Sequence, residues 1–258
     1  MNILDQFKLN GKVAFVTGGA KGIGKSIAVG YAQAGADLAI IDIDIEAAKT
    51  TAEEIAVDYG VKTLAIQTDV TQAEEVESMV EKVQEHFGQI DIAVANAGIA
   101  LNVPAEEMSL SEWQKVIDIN LTGVFLTAQA AGKVMIEQGG GSIINTASMS
   151  GYIVNTPQPQ CAYNASKAAV TQLTRSLAVE WADKNVRVNA VSPGYIGTEL
   201  ITEAPALEPL IKQWTAVTPQ KRMGEPEELQ GIYLYLASDA SSYTTGSDFI
   251  IDGGYTAI

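Results

Sequence analysis

Residues 12–24 read Lys12-Val-Ala-Phe-Val-Thr17-Gly18-Gly-Ala-Lys-Gly-Ile-Gly24. The first six form a short apolar run, as expected of a strand buried on both faces. The glycines follow at once in the order Gly-x-x-x-Gly-x-Gly, and a helix is expected from about Lys25 to Ala34. Glycine at a strand-to-helix turn lets the backbone approach a pyrophosphate, and the helix N-terminus offers it unpaired N–H groups. The spacing is not Gly-x-Gly-x-x-Gly, and glycines also build ordinary turns. Placed directly after a first strand, Gly18, Lys21, Gly22, Ile23 and Gly24 read as a phosphate loop.

The pattern repeats outward from there. Asp37–Asp42 reads as a second strand, and Asp42 follows Gly24 at close to the spacing of about 20 residues expected of an acid that bonds adenosine ribose hydroxyls. A carboxylate there repels a 2′-phosphate, which favours NAD over NADP. Lys21 is the opposing sign, but no base follows Asp42 (Ile43, Asp44). Thr63–Gln67 is a third strand. Asp69, beside Val70, then either bonds the adenine amino group or caps the next helix. Ile90–Ala95 enters Asn96-Ala97-Gly98, whose small residues let a cofactor lie against the backbone. Further strands are read at Gly141–Thr146, Val186–Val191 and Asp248–Ile251. Short apolar strands alternating with helical stretches specify βαβ units and a parallel sheet, an α/β class. With no repeat and no linker, residues 1–258 read as a single domain.

Tyr163 and Lys167 stand four apart and share a helix face. A phenol has a pKa of about 10, and a fixed cation one turn away favours the phenolate. Tyr-x-x-x-Lys is common on surface helices, so the spacing alone decides little. Ser148 ends the fifth strand at the cleft edge of such a sheet, with Ser150 as a competitor. Asn120 lies on an apolar face (Val116, Ile117, Leu121, Val124) of a helix expected over Ser111–Glu137 and is either structural or a holder of water near Lys167. Cys161 reads as a packing residue and His86 as a charge at a helix C-terminus. Residues 199–225, with Pro205, Pro209 and Pro219, read as irregular and as a lid.

Composition sets the bounds. The chain has 258 residues, 47% hydrophobic and 18% charged, with a net charge of −15. That charge argues against nucleic acid or an anionic membrane as partner. One cysteine rules out an internal disulfide and suits a reducing, cytoplasmic setting. Residues 1–11 show no apolar targeting segment, and no apolar run reaches the roughly 20 residues that span a bilayer.

Taken in order, Thr17–Gly24, Asn96–Gly98, Asn120, Ser148, Tyr163-Asn-Ala-Ser-Lys167, Pro193-Gly194 with Thr198, and Asp252-Gly-Gly254 resemble the short-chain dehydrogenase/reductase family along essentially the whole chain. The resemblance implies a Rossmann-type, doubly wound fold with seven parallel strands flanked by helices, and NAD(P)-dependent oxidoreduction. It implies Tyr163 as acid/base, Lys167 lowering its pKa and holding the ribose, Ser148 positioning the substrate oxygen and Asn120 holding a relay water. It also implies that Pro193, Gly194, Ile196 and Thr198 line the cofactor; no metal is assigned. Ser148–Asn155 with Pro157-Gln-Pro-Gln160 resembles the branch acting on sugar alcohols and ketoses, and the family is commonly tetrameric through two long helices. Polar Asn155, Gln158, Gln160 and Glu199 suit a substrate with many hydroxyls, or are plain loop polarity. Two other readings stand: a reductase of 3-oxoacyl thioesters, steroids or small diols, and a catalytically silent dinucleotide sensor.

Overall fold

The computed structural model describes residues 2–258. Its strands are β1 (Val13–Thr17), β2 (Asp37–Asp42), β3 (Thr63–Gln67), β4 (Ile92–Ala95), β5 (Gly141–Thr146), β6 (Val186–Pro193) and β7 (Asp248–Ile251). All enter one sheet in the order β3-β2-β1-β4-β5-β6-β7, every pairing parallel. The order reverses between β1 and β4, the place where open α/β sheets form a crevice at their carboxyl ends.

The alternation of side chains along β1 separates two cores. Ala14 and Val16 face the layer of α1 (Gly22–Gln33) and α2 (Ile45–Tyr59), with Ile27, Tyr31, Ala48 and Ile55. Val13 and Phe15 face the opposite layer, with Val76, Met79 and Val80 of α3 (Ala73–Phe87). Apolar residues on both faces explain why the strands read as continuous hydrophobic runs rather than alternating ones.

The helix expected over 111–137 is a composite. It comprises α4 (Leu110–Ile117), a π turn at Asp118–Thr122 and α5 (Gly123–Gln138). Ser109 and Glu112 form a capping box at its start. Gly123 N–H bonds the Asp118 carbonyl, five residues back, so the widened turn sits at Asn120. Over Leu110–Gln138 it is long and apolar enough by composition to cross a membrane, whereas the sequence held no uninterrupted apolar run of that length. In this fold Val124, Ala128, Ala131 and Met135 are buried against the sheet, as in a core helix.

The remaining helices are α6 (Cys161–Trp181), α7 (Glu199–Thr202), α8 (Glu208–Val217) and α9 (Gln230–Ala237). The 199–225 stretch is thus more regular than expected. Pro205 opens a 3-10 turn and Pro209 lies in the first turn of α8, where a missing N–H costs nothing. Counted as breakers, these prolines act as starters.

Candidate active site

Glycine is required at the β1–α1 turn. Gly18 and Gly22 have φ of +61° and +55°, a region that favours residues without Cβ. A Cβ on Gly24 would collide with the Gly18 carbonyl oxygen. Helix α1 begins at Gly22, three residues earlier than the expected Lys25, so the loop itself is its first turn. Lys21 at the N-cap gives no side-chain bond to the helix end, leaving N–H groups for an anion. The fit to a dinucleotide pyrophosphate therefore rests on a close-packed glycine turn that only residues without Cβ can form, together with open helix donors.

Every strand end in this crevice delivers an expected residue. Asp42 closes β2, and its carboxylate accepts from Ala20 N–H at 3.2 Å and Asp44 N–H at 3.1 Å. Lys21 pairs with Asp44 at 3.2 Å. Asp69 Oδ1 accepts from the backbone and hydroxyl of Thr71 at 2.9 and 2.8 Å, which shapes the turn into α3. Val70 packs against the position of Gly123. After β4, Asn96 Nδ2 donates to the carbonyls of Thr17 and Gly18, while its Oδ1 accepts from the Thr146 hydroxyl at 3.2 Å. One amide thus ties β1, the glycine turn and β5. A Cβ on Gly18 would come within 3.0 Å of Ala97 Cα, and one on Gly98 within 3.5 Å of Lys167 Nζ. Thr198 lies across the turn, its methyl 3.3 Å from a Cβ built on Gly22. Pro193 ends β6, and Gly194 packs so closely on Asp252 that a side chain would meet its Cα at 2.6 Å. Ile196 has its side chain buried in the α1 core, which leaves only its backbone to face the crevice.

Tyr163 and Lys167 do share one face of α6, with Lys167 Nζ 5.7 Å from the phenol ring centre. Lys167 is 3% exposed and donates to the Thr146 carbonyl at 2.7 Å. Burial brings its ammonium down to about 8. Burial also pushes the Tyr163 phenol up, and the Ser148 hydroxyl beside it pulls the other way. In the protein alone the phenol therefore stands above its ordinary value, desolvation outweighing the Ser148 hydrogen bond. Ser148, at the end of β5, accepts from Ser150 N–H at 3.1 Å. That bond makes Ser150 the support of Ser148 and gives it no separate place at the phenol.

Asn120 is fully buried and spends its amide on structure. It accepts from Ile99 N–H at 2.8 Å and donates to Ile99 O at 2.8 Å and the Ser166 hydroxyl at 3.2 Å. A relay water held by its side chain has no support in these bonds. Its side chain pins the 96–99 segment to α6, and the π turn is the feature a water would exploit, since such turns free backbone groups.

Asn155, Gln158 and Gln160 are buried, not loop surface, whereas Glu199 is exposed. Sequence reasoning missed two organisers. Thr146 holds both Lys167 and Asn96, its only signal being its place as the last strand residue before Ser148. Tyr195 stacks on Trp214 with rings 4.3 Å apart and 7° from parallel, a pairing across 19 residues (214 − 195) that no local pattern reveals.

The comparisons agree with this geometry. Residues 18–256 match the family described as Enoyl-(Acyl carrier protein) reductase. A probable NADP-dependent mannitol dehydrogenase of Yarrowia lipolytica is 47% identical over 98% of this chain and 91% of its own. A sorbose reductase of Candida albicans is 47% identical over 99% of this chain and 90% of its own. The crystal structure of a short-chain type dehydrogenase/reductase from Mycobacterium marinum superposes with a TM-score of 0.95 at 52% identity, covering 100% of both chains. With the glycine turn, Asn96, Ser148, Tyr163 and Lys167 gathered at one sheet edge, the chain belongs to the short-chain dehydrogenase/reductase family, nicotinamide-dependent oxidoreductases acting on CH–OH groups.

Proposed function

We propose that this protein interconverts a sugar alcohol and its ketose. The observation that carries the reading is the placement of Tyr163, Lys167 and Ser148 beside a buried wall of amides, Asn155, Gln158 and Gln160, which suits a substrate of many hydroxyls. The names of the Yarrowia and Candida relatives support the same class.

Gly18, Gly22 and Gly24 would hold the cofactor pyrophosphate, Asp42 the adenosine ribose, Asn96–Gly98 the inner backbone edge and Lys167 the second ribose. When bound, the nicotinamide supplies the two-electron acceptor or donor, and its oxidised ring adds a positive charge that favours tyrosinate. Tyr163 takes the proton of the reacting hydroxyl in oxidation and returns it in reduction. Ser148 donates to the same oxygen. Lys167 keeps a fixed cation behind the phenol. General acid–base transfer of this kind contributes about 10²- to 10⁴-fold. Residues 199–225 close over the substrate as a lid.

NAD is preferred over NADP in this reading. A 2′-phosphate would meet Asp42 with Asp44 beside it, and Lys21 is already committed to Asp44. The word NADP in the Yarrowia relative's name points the other way for that protein. Titration with NADH and NADPH decides it, and Asp42→Ser narrows the gap. The assembly is a homotetramer in this reading, supported by exposed Phe125 on α5 and Val179 on α6, at 37% and 80%. Sedimentation velocity tests the tetramer.

The functional test is a panel of polyols, ketoses, hydrophobic ketones and 3-oxoacyl thioesters with both cofactors. Turnover confined to polyol/ketose pairs supports the proposal, and preference for a hydrophobic ketone or thioester overturns it. Tight NADH binding with no turnover on any carbonyl would make the chain a sensor instead.

A further inference from the structure

A chain of hydrogen bonds runs from the catalytic serine to the lid. Ser148 is bonded to Ser150, and Gln160 Nε2 reaches the Ser150 hydroxyl at 3.5 Å and Asn155 Oδ1 at 3.0 Å. Asn155 Nδ2 donates to the Tyr195 hydroxyl at 3.0 Å, and Gln158 Nε2 donates to the same oxygen at 3.2 Å. Gln158 Oε1 accepts from Trp214 Nε1 at 3.1 Å. Trp214, on α8, is 6% exposed and lies flat on the Tyr195 ring.

The direction of the bonds through Gln158 is fixed by chemistry. An indole N–H can only donate, so Gln158 must turn its oxygen to Trp214 and its amide hydrogens to Tyr195. The Tyr195 oxygen then accepts from Gln158 and from Asn155, filling both of its lone pairs. With its oxygen filled, its own proton goes to the Tyr255 hydroxyl, which lies within hydrogen-bond reach. Tyr195 is partly exposed and follows the end of β6, on the carboxyl edge of the sheet that carries Ser148 and Tyr163. A hydroxyl held as a donor, with only another hydroxyl to take its proton, can exchange that partner for a substrate oxygen.

We propose that Tyr195 is a specificity-determining residue. Its hydroxyl donates to a substrate hydroxyl away from the reacting carbon, and Gln158 orients it while joining it to the lid through Trp214. This rests on the sugar-alcohol reading and deepens it: the wall selects substrates by a second oxygen, so monohydric alcohols are discriminated against.

Tyr195→Phe tests it in the full-length protein, because the ring and its stack on Trp214 are kept. The assay compares kcat/KM for the best polyol with that for cyclohexanol, alongside NADH affinity as a check of folding. Removing one donor from a polar site predicts a fall of about 10- to 100-fold on the polyol, mainly in KM, with cyclohexanol and NADH binding unchanged. Gln158→Leu, which frees Tyr195 to rotate, gives a smaller fall of the same selectivity. A wild-type protein inactive on every polyol and ketose removes the functional reading and this inference together. A wild type active on polyols whose Tyr195→Phe variant keeps its polyol kcat/KM within twofold, or loses both substrates equally, overturns this inference alone.

Discussion

Lys167 carries the most consequential charge in the molecule, and its cost is measurable. Its ammonium sits at about 8 in the fold against an ordinary value near 10.5, so between those limits the unfolded chain binds more protons than the native one. Stability contributed by this residue therefore rises with pH through that window, by about 3 kcal/mol when complete. Below pH 8 the buried cation is a burden held for function. Lys167→Met is expected to lose activity, and its stability relative to wild type should decline as pH rises from 7 to 10; denaturant melts at both values check the sign. Tyr163→Phe is expected to lose at least about 10²-fold in turnover while binding NADH normally, as stopped-flow and fluorescence titration would show. Activity near wild type would remove the acid–base assignment.

Elements place these residues, and two junctions matter most. At the β1–α1 turn a methyl on Gly24 meets backbone, which cannot swing aside. Gly24→Ala is expected to weaken dinucleotide binding by more than about tenfold, since the turn that presents its N–H groups to the pyrophosphate must open to clear the Gly18 carbonyl. At the α4–α5 junction Asn120 satisfies both backbone groups of Ile99. Asn120→Ala leaves them without partners and should cost about 2–4 kcal/mol, read from the urea midpoint. Asn120→Asp would accept from Ile99 N–H but oppose its carbonyl, so it recovers only part of that stability.

Taken whole, the protein is acidic, with a net charge of −15 and a pI near 4.4, and its crevice lies where β1 and β4 part. A ligand there bridges both halves of the sheet and stabilises the native state by mass action. At 100 times its Kd a nicotinamide dinucleotide should add about 2.7 kcal/mol, or about 5–10 °C in Tm at roughly 2–4 °C per kcal/mol. Thermal scans with and without cofactor test this, and the Gly24→Ala protein should show little shift. Much of this architecture was legible in the chain. Strand runs buried on both faces, glycines at the first turn and residues at successive strand ends are local patterns, written in short stretches by steric and hydrogen-bonding rules. So were Tyr163 and Lys167 on one helix face, because four residues make about one turn. What the sequence determined was the parallel sheet, the crevice and the residues delivered to it. Only the tertiary structure decided that Asn120 spends its amide on Ile99, that burial pushes the Tyr163 phenol up, and that Gln158 and Trp214 fix Tyr195. Those outcomes depend on desolvation and on partners 21 to 56 residues apart, and neither is encoded in any local spacing.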